Sequence, residues 1–547
     1  MSNVLPNKPF ATEDFSLPGG GIDFLGLRWV SLTILGQYLV PELNNRTSDI
    51  GMFCLGTWIP WKFRQLCTNE KDYTEKNYRQ FREKVEVALS LTFKDESEMD
   101  RPEGRVRDQV GSAQAANLPC KLTFANAKRK DQNSLYAAAI YGPAIKSLGL
   151  ISTYHSKPEP GSPAPNIAVP DDNPDAVEIV EAVDECLQDA PNYSDLASLE
   201  APVFDWEDIR SLGEAGLDPA RYRARKFSRL KEAFARRLLP SSPDDPGYAR
   251  TLTTHLILET LRQGGELRPW SVRNAWYTGM FPDGKKLRIG QPELVRQLGR
   301  WSSFLARQYQ RYPIELFLWC FEDALSKGAR SIDEVIGHWD RRASKAGEKL
   351  KGCFRDILKE VAGDLYSVDE ETTSQAWNDT VHEEDERFEE VFEPKDDEAV
   401  LHGLRMFAGW YWRMLVRQGN PDTKDLMALG GADRMGMAWF LKWLRDRRDR
   451  PIRDLLRDIF SDLIFAQHMR IALSRFDGSA QRLRFLLGDS GIEPSVSAKS
   501  DFANLNLPWM PDRLDTLTAL LCDCNILEME DDLLSPGSRL LGRLPGR

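Results

Sequence analysis

Two apolar runs open the chain. In the first, Leu25, Leu27, Trp29, Leu32, Leu35 and Leu39 lie among few charges; the second, from Ile50 to Phe63, contains Trp58, Ile59, Pro60 and Trp61. The polar stretch between them, Pro41-Glu42-Leu43-Asn44-Asn45, predicts a turn, so the runs read as two helices folded back on each other. Neither has a clean polar face, which implies burial on more than one side. A shorter helix is expected from Tyr136 to Leu148, ended by Gly149 in the left-handed cap position.

Further along, the spacing becomes plainly helical. Trp301, Phe304, Leu305, Tyr309 and Tyr312 recur at three- and four-residue steps. Pro313 then predicts a break and the first residue of a new helix carrying Ile314, Phe317, Leu318, Phe321, Ala324 and Leu325. Leu404, Phe407, Tyr411 and Leu415 form another stripe. Ile452, Leu455, Leu456, Ile459, Phe460, Leu463 and Ile464 form a third. Near the end, a helix from about Asp512 to Ile526 is followed by Leu527-Glu528-Met529, an acidic turn at Glu530-Asp531-Asp532, and Leu533-Leu534. Ser535 as N-cap and Pro536 at the first helical position predict a short terminal helix. Helix, two-stranded wing, helix is the outline of a winged-helix module. The expected fold class is therefore mainly α: a multidomain helical protein with a C-terminal winged-helix-like module.

Composition divides this pattern into blocks. A length of 547 residues exceeds one ordinary core and implies two to four domains. Six prolines between Ser156 and Ala176 predict an extended linker over 156–176. Residues 363–400 hold fifteen acids against Arg387 and Lys395, a net −13, and read as a solvated helix or a tether. The expected organisation is an N-terminal helical domain (1–155), a middle helical domain (177–362) and a C-terminal helical domain (401–547) on either side of those linkers. The whole chain carries −11, so everything outside the acidic strip sums to +2, and basic patches remain open to a polyanion.

No run reaches the roughly 18 apolar residues needed to cross a bilayer, and the start, Met1-Ser2-Asn3-Val4-Leu5-Pro6, lacks the basic and apolar regions of a signal peptide. Eight cysteines in this length do not make a disulfide scaffold. A cytoplasmic protein without membrane contact is the expectation.

Candidate chemistry is sparse. The six histidines (155, 255, 338, 382, 402 and 468) show no metal-ligand spacing, and His468, on the flank of an apolar stripe, reads as a core-edge residue. Cys522-x-Cys524 lacks a second ligand pair. Gly488-Asp489-Ser490-Gly491 copies a fragment of the trypsin-like nucleophile motif without its scaffold, and reads as a turn. Gly19-Gly20-Gly21 and Gly284-Lys285-Lys286 fit no nucleotide fingerprint. No catalytic residue, metal or cofactor is assigned.

The basic segment 221–237 carries more weight. Arg221, Arg223, Arg225, Lys226, Arg229, Lys231, Arg236 and Arg237 face a single acid, Glu232, with Tyr222, Phe227, Leu230 and Phe234 interleaved. A helix with those residues could anchor one face and hold phosphates with the other. The competing readings are a solvated helix face and a face docked on the acidic 363–400 strip of the same chain. A second cluster, from Lys442 to Arg457, is diluted by Asp446, Asp449, Asp454 and Asp458 and reads as an ion-pair-laced helix. The 512–526 helix has Arg513 as its one cation, so it suits protein docking better than base readout.

Gly21-Ile22-Asp23-Phe24-Leu25-Gly26-Leu27-Arg28, Leu39-Val40-Pro41 and the stretch from Thr47 to Trp58 resemble the opening of uncharacterised bacterial proteins from antiphage-defence and restriction islands. Tyr141-Gly142, Leu148-Gly149-Leu150, Gln467-His468-Met469-Arg470-Ile471-Ala472 and the tail are similar in order. The resemblance implies a helical accessory component beside an ATPase, helicase or nuclease partner. The function expected is that of a non-catalytic adaptor subunit of a bacterial antiviral DNA-defence complex, binding double-stranded DNA and partner proteins. Two alternatives stand beside it: an effector nuclease with sequence-dispersed carboxylates, and a regulator or toxin component without nucleic-acid contact.

Overall fold

In a computed structural model the chain is mainly helical. The structure describes residues 23–69, 71–92, 135–136, 140–152, 173–200, 204, 206–223, 227–347, 350–381, 397–474, 483–495 and 510–537. Two compact units emerge, each assembled from segments distant in sequence. One joins 40–251 to the C-terminal residues from Asp512 and the other joins Gly21–Leu39 to 252–511. These boundaries differ from the expected three blocks, because neither acidic nor proline-rich composition marks where the packing changes. The two N-terminal apolar runs are both helical, yet they belong to different units, so the expected helical pair is not one element.

The first unit is built around helix Ile50–Leu66, nearly all of whose first fourteen residues are buried. Asp49 starts it, its carboxylate accepting the Gly51 amide in an extended N-cap. Helix Pro174–Leu187 packs against it, with Asn173 capping the Ala176 amide and Pro174 preset in the first turn. The last three residues of the expected proline-rich linker are thus helical, and 153–172 lie outside the described residues. Asp184 on this helix gathers Trp58 Nε1 (2.9 Å), Lys62 Nζ (3.1 Å), Gln188 Nε2 (2.9 Å) and Tyr193 OH (2.5 Å). Burial works against its charge, but these donors outweigh it and hold the carboxyl below its ordinary range. The 136–148 helix is shorter than expected, Gly142–Ser147, and ends as foreseen with Gly149 at φ +69°.

The second unit is organised by one 35-residue helix, Pro292–Ser326. Pro313 does not break it. The proline removes one helical N–H, but buried contacts on every side of the following turns hold the geometry. Helix Ala399–Arg417 crosses it closely. Trp410 Nε1 donates to the Ala306 carbonyl at 2.8 Å, Phe407 stacks on Phe317 at 5.4 Å, and Gly403 leaves room for the Phe317 ring. The acidic strip is partly a packed helix, Glu370–Thr380, pinned by buried Trp377 and by Ser374 donating to the Trp412 carbonyl. Residues 382–396 of that strip lie outside the described residues. The 452–464 stripe is helical throughout, widened by π-type turns at Ile459–Ala466, and the helix runs on to Ser474.

Strands are confined, among the described residues, to two antiparallel hairpins. Phe485–Gly488 pairs with Gly491–Pro494, which makes Asp489-Ser490 the tight turn that the protease-like fragment was expected to be. Leu527–Glu530 pairs with Leu533–Pro536 after helix Leu514–Asp523. Ser535 and Pro536 therefore sit in a strand and do not start a terminal helix. Leu534 is buried beside them and its pairing with Met529 holds the extended backbone.

Candidate nucleic-acid interface

The basic segment is not one helix. Pro219–Arg223 forms a 3-10 turn, Arg225 and Lys226 lie outside the described residues, and the α-helix covers Ser228–Leu238. Its apolar side does anchor as expected. Leu230, Ala233, Phe234 and Leu238 are buried, with Phe234 against Phe53.

Its cations are engaged within the unit. Arg229 Nε lies 2.8 Å from Glu178, and its Nη2 lies 3.7 Å from Glu181. Arg236 pairs with Asp175 at 2.7 Å and Glu178 at 2.8 Å. Helix Pro174–Leu187, and not the expected 363–400 strip, thus supplies the acidic partners of Arg229 and Arg236, because these two helices pack side by side. Arg237 Nε donates to the Leu148 carbonyl at 2.9 Å. Lys231 is buried, donating to the Arg223 carbonyl at 2.8 Å and to Asn525 Oδ1 at 3.3 Å. Arg221 is exposed on the 3-10 turn. Six described cations consequently stand against five carboxylates: Asp49, Asp175, Glu178, Glu181 and Asp523.

Asp49 and Asp523 form the second centre of this face. Arg223 bridges them, Nε to Asp523 at 3.0 Å and Nη2 to Asp49 at 3.3 Å. Asp523 also accepts the Ile50 amide at 3.2 Å, so the C-terminal helix closes onto the start of helix Ile50–Leu66. Burial pushes the Asp523 carboxyl up to about 6, and it raises Asp49 as well. Two neighbouring carboxylates thus meet on one arginine. The helix's own cation, Arg513, donates to the Val40 carbonyl at 2.9 Å.

Exposure separates what can still meet a ligand. The side chains of Arg223, Arg229 and Arg236 are each more than half exposed even in their pairs. Exposed pairs of this kind contribute roughly 0.2–1 kcal/mol each, so a phosphate could compete for them. Lys231 and Arg237 are committed to carbonyls.

Elsewhere the polar groups are structural. The second basic cluster is ion-paired as its composition implied (Arg447 to Asp458 at 2.7 Å, Arg448 to Glu370 at 2.8 Å, Arg457 to Asp333 at 2.8 Å), but it is not the one helix expected: a turn at 446–449 divides it between helices Met437–Arg445 and Ile452–Asp458. Lys84 is buried among the Asp195, Ser198 and Glu200 carbonyls at 2.7–3.3 Å. Buried Arg250 caps the basic helix, reaching the Leu238 carbonyl at 2.8 Å and the Arg237 carbonyl at 3.3 Å. Cys524 is buried and Cys522 half-buried. Among the described residues, no group of three or more His, Cys, Asp or Glu could hold a metal ion. His155 and His382 lie outside them.

One polar system went unread in the sequence. The long helix buries Gln297, Ser303, Arg307, Gln308, Gln310, Arg311, Glu315 and Glu322. Arg307 reaches the Leu27 carbonyl at 3.0 Å and the Arg434 carbonyl at 2.8 Å, and Glu322 pairs with buried Arg484. The signal that could have shown it was the charged residues at 307, 311 and 315, four apart within an apolar helix. No family model, no curated protein and no solved structure matches the chain.

Proposed function

We propose that the chain is a non-catalytic adaptor subunit of a bacterial antiviral DNA-defence complex, binding nucleic acid and partner proteins. The observation that supports a binding role is the use made of its ionisable groups. Lys84, Asp184, Arg250, Arg307 and the Arg484–Glu322 pair each tie distant segments together through carbonyls or an opposite charge. Groups spent in this way build a rigid surface for partners. Contact with a duplex would run through the exposed fraction of the basic face, Arg221, Arg223, Arg229 and Arg236. There, phosphates would displace the carboxylates of the 174–187 helix from Arg229 and Arg236, and Asp49 and Asp523 from Arg223. In this reading helix Leu514–Asp523 and its hairpin are the first parts of a winged-helix-like module. The exposed Glu528, Glu530, Asp531 and Asp532 suit it to a basic protein partner and not to DNA.

Anisotropy of labelled duplex DNA tests the nucleic-acid part, with wild type compared to Arg229→Gln/Arg236→Gln over 20–200 mM salt. Removing these two arginine–phosphate bonds should lower the slope of log K against log salt by about 2. Absence of wild-type binding at low salt removes DNA from the proposal and leaves protein docking. Identical slopes for the two proteins would remove these arginines from it.

A further inference from the structure

Arg223 differs from Arg229 and Arg236 in the carboxylates it holds. Those paired with Arg229 and Arg236 have side chains 19–46% exposed, whereas Asp49 and Asp523 are 15% and 8% exposed. When an arginine leaves the first group, water takes over its solvation. Water reaches the second group far less, so the charge on Asp49 and Asp523 depends on what stands beside them.

The two acids are neighbours by construction. Nε of Arg223 lies 3.0 Å from Asp523, and Nη2 of the same planar group lies 3.3 Å from Asp49. The backbone fixes the same proximity, because Asp523 also accepts the amide of Ile50, the residue that follows Asp49. Of the other charged groups around the pair, Lys231 favours the charged form of Asp523 and Asp218 opposes that of Asp49. Glu528 acts on Cys522 from the hairpin. Cys54, Cys522 and Tyr222 are pushed upward by burial and stay neutral near pH 7. Burial already raises both acids, Asp523 to about 6.

The consequence rests on the phosphate contacts proposed above. A phosphate that takes Arg223 from the two carboxylates leaves like charges side by side in a poorly solvated place. One that joins them at the guanidinium adds a third negative charge. In both cases the protonated form of Asp523 gains, and by linkage a proton on Asp523 strengthens phosphate binding by the same factor.

We propose that duplex DNA binding at this face is coupled to proton uptake by the Asp49–Asp523 pair, so that affinity rises as pH falls below neutral. The value of Asp523 in the protein alone, near 6, sets the lower end of the window, and its higher value in the complex sets the upper end. Below the lower end the affinity levels off.

Anisotropy of labelled duplex DNA at pH 7.5, 6.5 and 5.5, at one low salt concentration, tests this with the full chain and its Asp523→Asn variant. Wild-type Kd should fall about fivefold from the highest pH to the lowest. The variant, which keeps an acceptor for the Ile50 amide, should bind more tightly than wild type at pH 7.5 and change little with pH. Calorimetry of wild type with the same duplex at pH 6.5, in two buffers of different ionisation enthalpy, counts the protons without any variant, and about half a proton per chain should be taken up. Binding without proton uptake, or with equal pH dependence in the two proteins, overturns the coupling and leaves the phosphate contacts standing. Absence of wild-type binding even at pH 5.5 overturns the phosphate contacts and the coupling with them.

Discussion

His468 makes the second unit sensitive to acid, and the size of the effect follows from its surroundings. Its Nε2 accepts the Arg484 amide at 3.0 Å, which leaves the proton on Nδ1, 3.2 Å from the Phe24 carbonyl. Phe485 packs against the ring at 4.5 Å, and the side chain is fully buried. Protonating Nε2 would set a new N–H against the Arg484 N–H. Burial, with the Arg484 charge adding to it, pushes the imidazole down to about 4 from an ordinary 6.5, although the Phe24 carbonyl pulls the other way. Between those values the unfolded chain binds a proton that the folded chain refuses. The stability His468 contributes is therefore intact above pH 6.5 and is lost as pH falls towards 4, by about 3 kcal/mol in full. Urea unfolding of wild type and His468→Gln at half-unit steps from pH 7.5 to 4.5 measures it. The variant should be less stable at pH 7 by about 1–3 kcal/mol, because two buried partners are poorly met, and the difference should shrink as pH falls. Equal pH slopes for the two proteins would refute the reasoning.

Asp523 acts in the opposite sense in the first unit. Its folded value near 6 lies above the unfolded 3.8, so lowering pH from 7 to 4 should add up to about 3 kcal/mol to that unit's stability. Asp523→Asn should abolish the gain, as read by amide exchange at Ile50. Breaking the buried Glu322–Arg484 pair with Glu322→Ala leaves a guanidinium uncompensated and should cost about 3–5 kcal/mol in urea unfolding. Gly403→Ala gains about 1 kcal/mol of helix propensity but puts a methyl 2.9 Å from two atoms of the Phe317 ring. A net loss of about 1–3 kcal/mol is expected, and calorimetry showing a gain would mean that the two helices can part.

Local sequence determined what local physics controls. Apolar spacing at three and four residues marked the helical stripes at 301–325, 404–415 and 452–464, because a helix must hide one face whatever it packs against. Cap chemistry did as much at Gly149, where only a residue tolerant of positive φ ends the turn easily. The same logic erred where tertiary contacts outweigh a local preference. Pro313 is carried through an unbroken helix by burial on all sides, and Ser535-Pro536 is drawn into a strand by its partner across the hairpin.

The pairing of charges was decided by the tertiary structure alone. Composition showed that Arg229 and Arg236 were basic and that acids existed elsewhere, but charge acts through space and carries no sequence address. Asp175 and Glu178, 51 to 61 residues earlier, are their partners because two helices pack side by side. The bridge from Arg223 to Asp49 and Asp523, and the seam joining Arg28 to Glu315, span hundreds of residues for the same reason. Periodicity reports which face of an element is buried. Which element covers that face, and which polar groups meet there, depends on the packing of the whole unit.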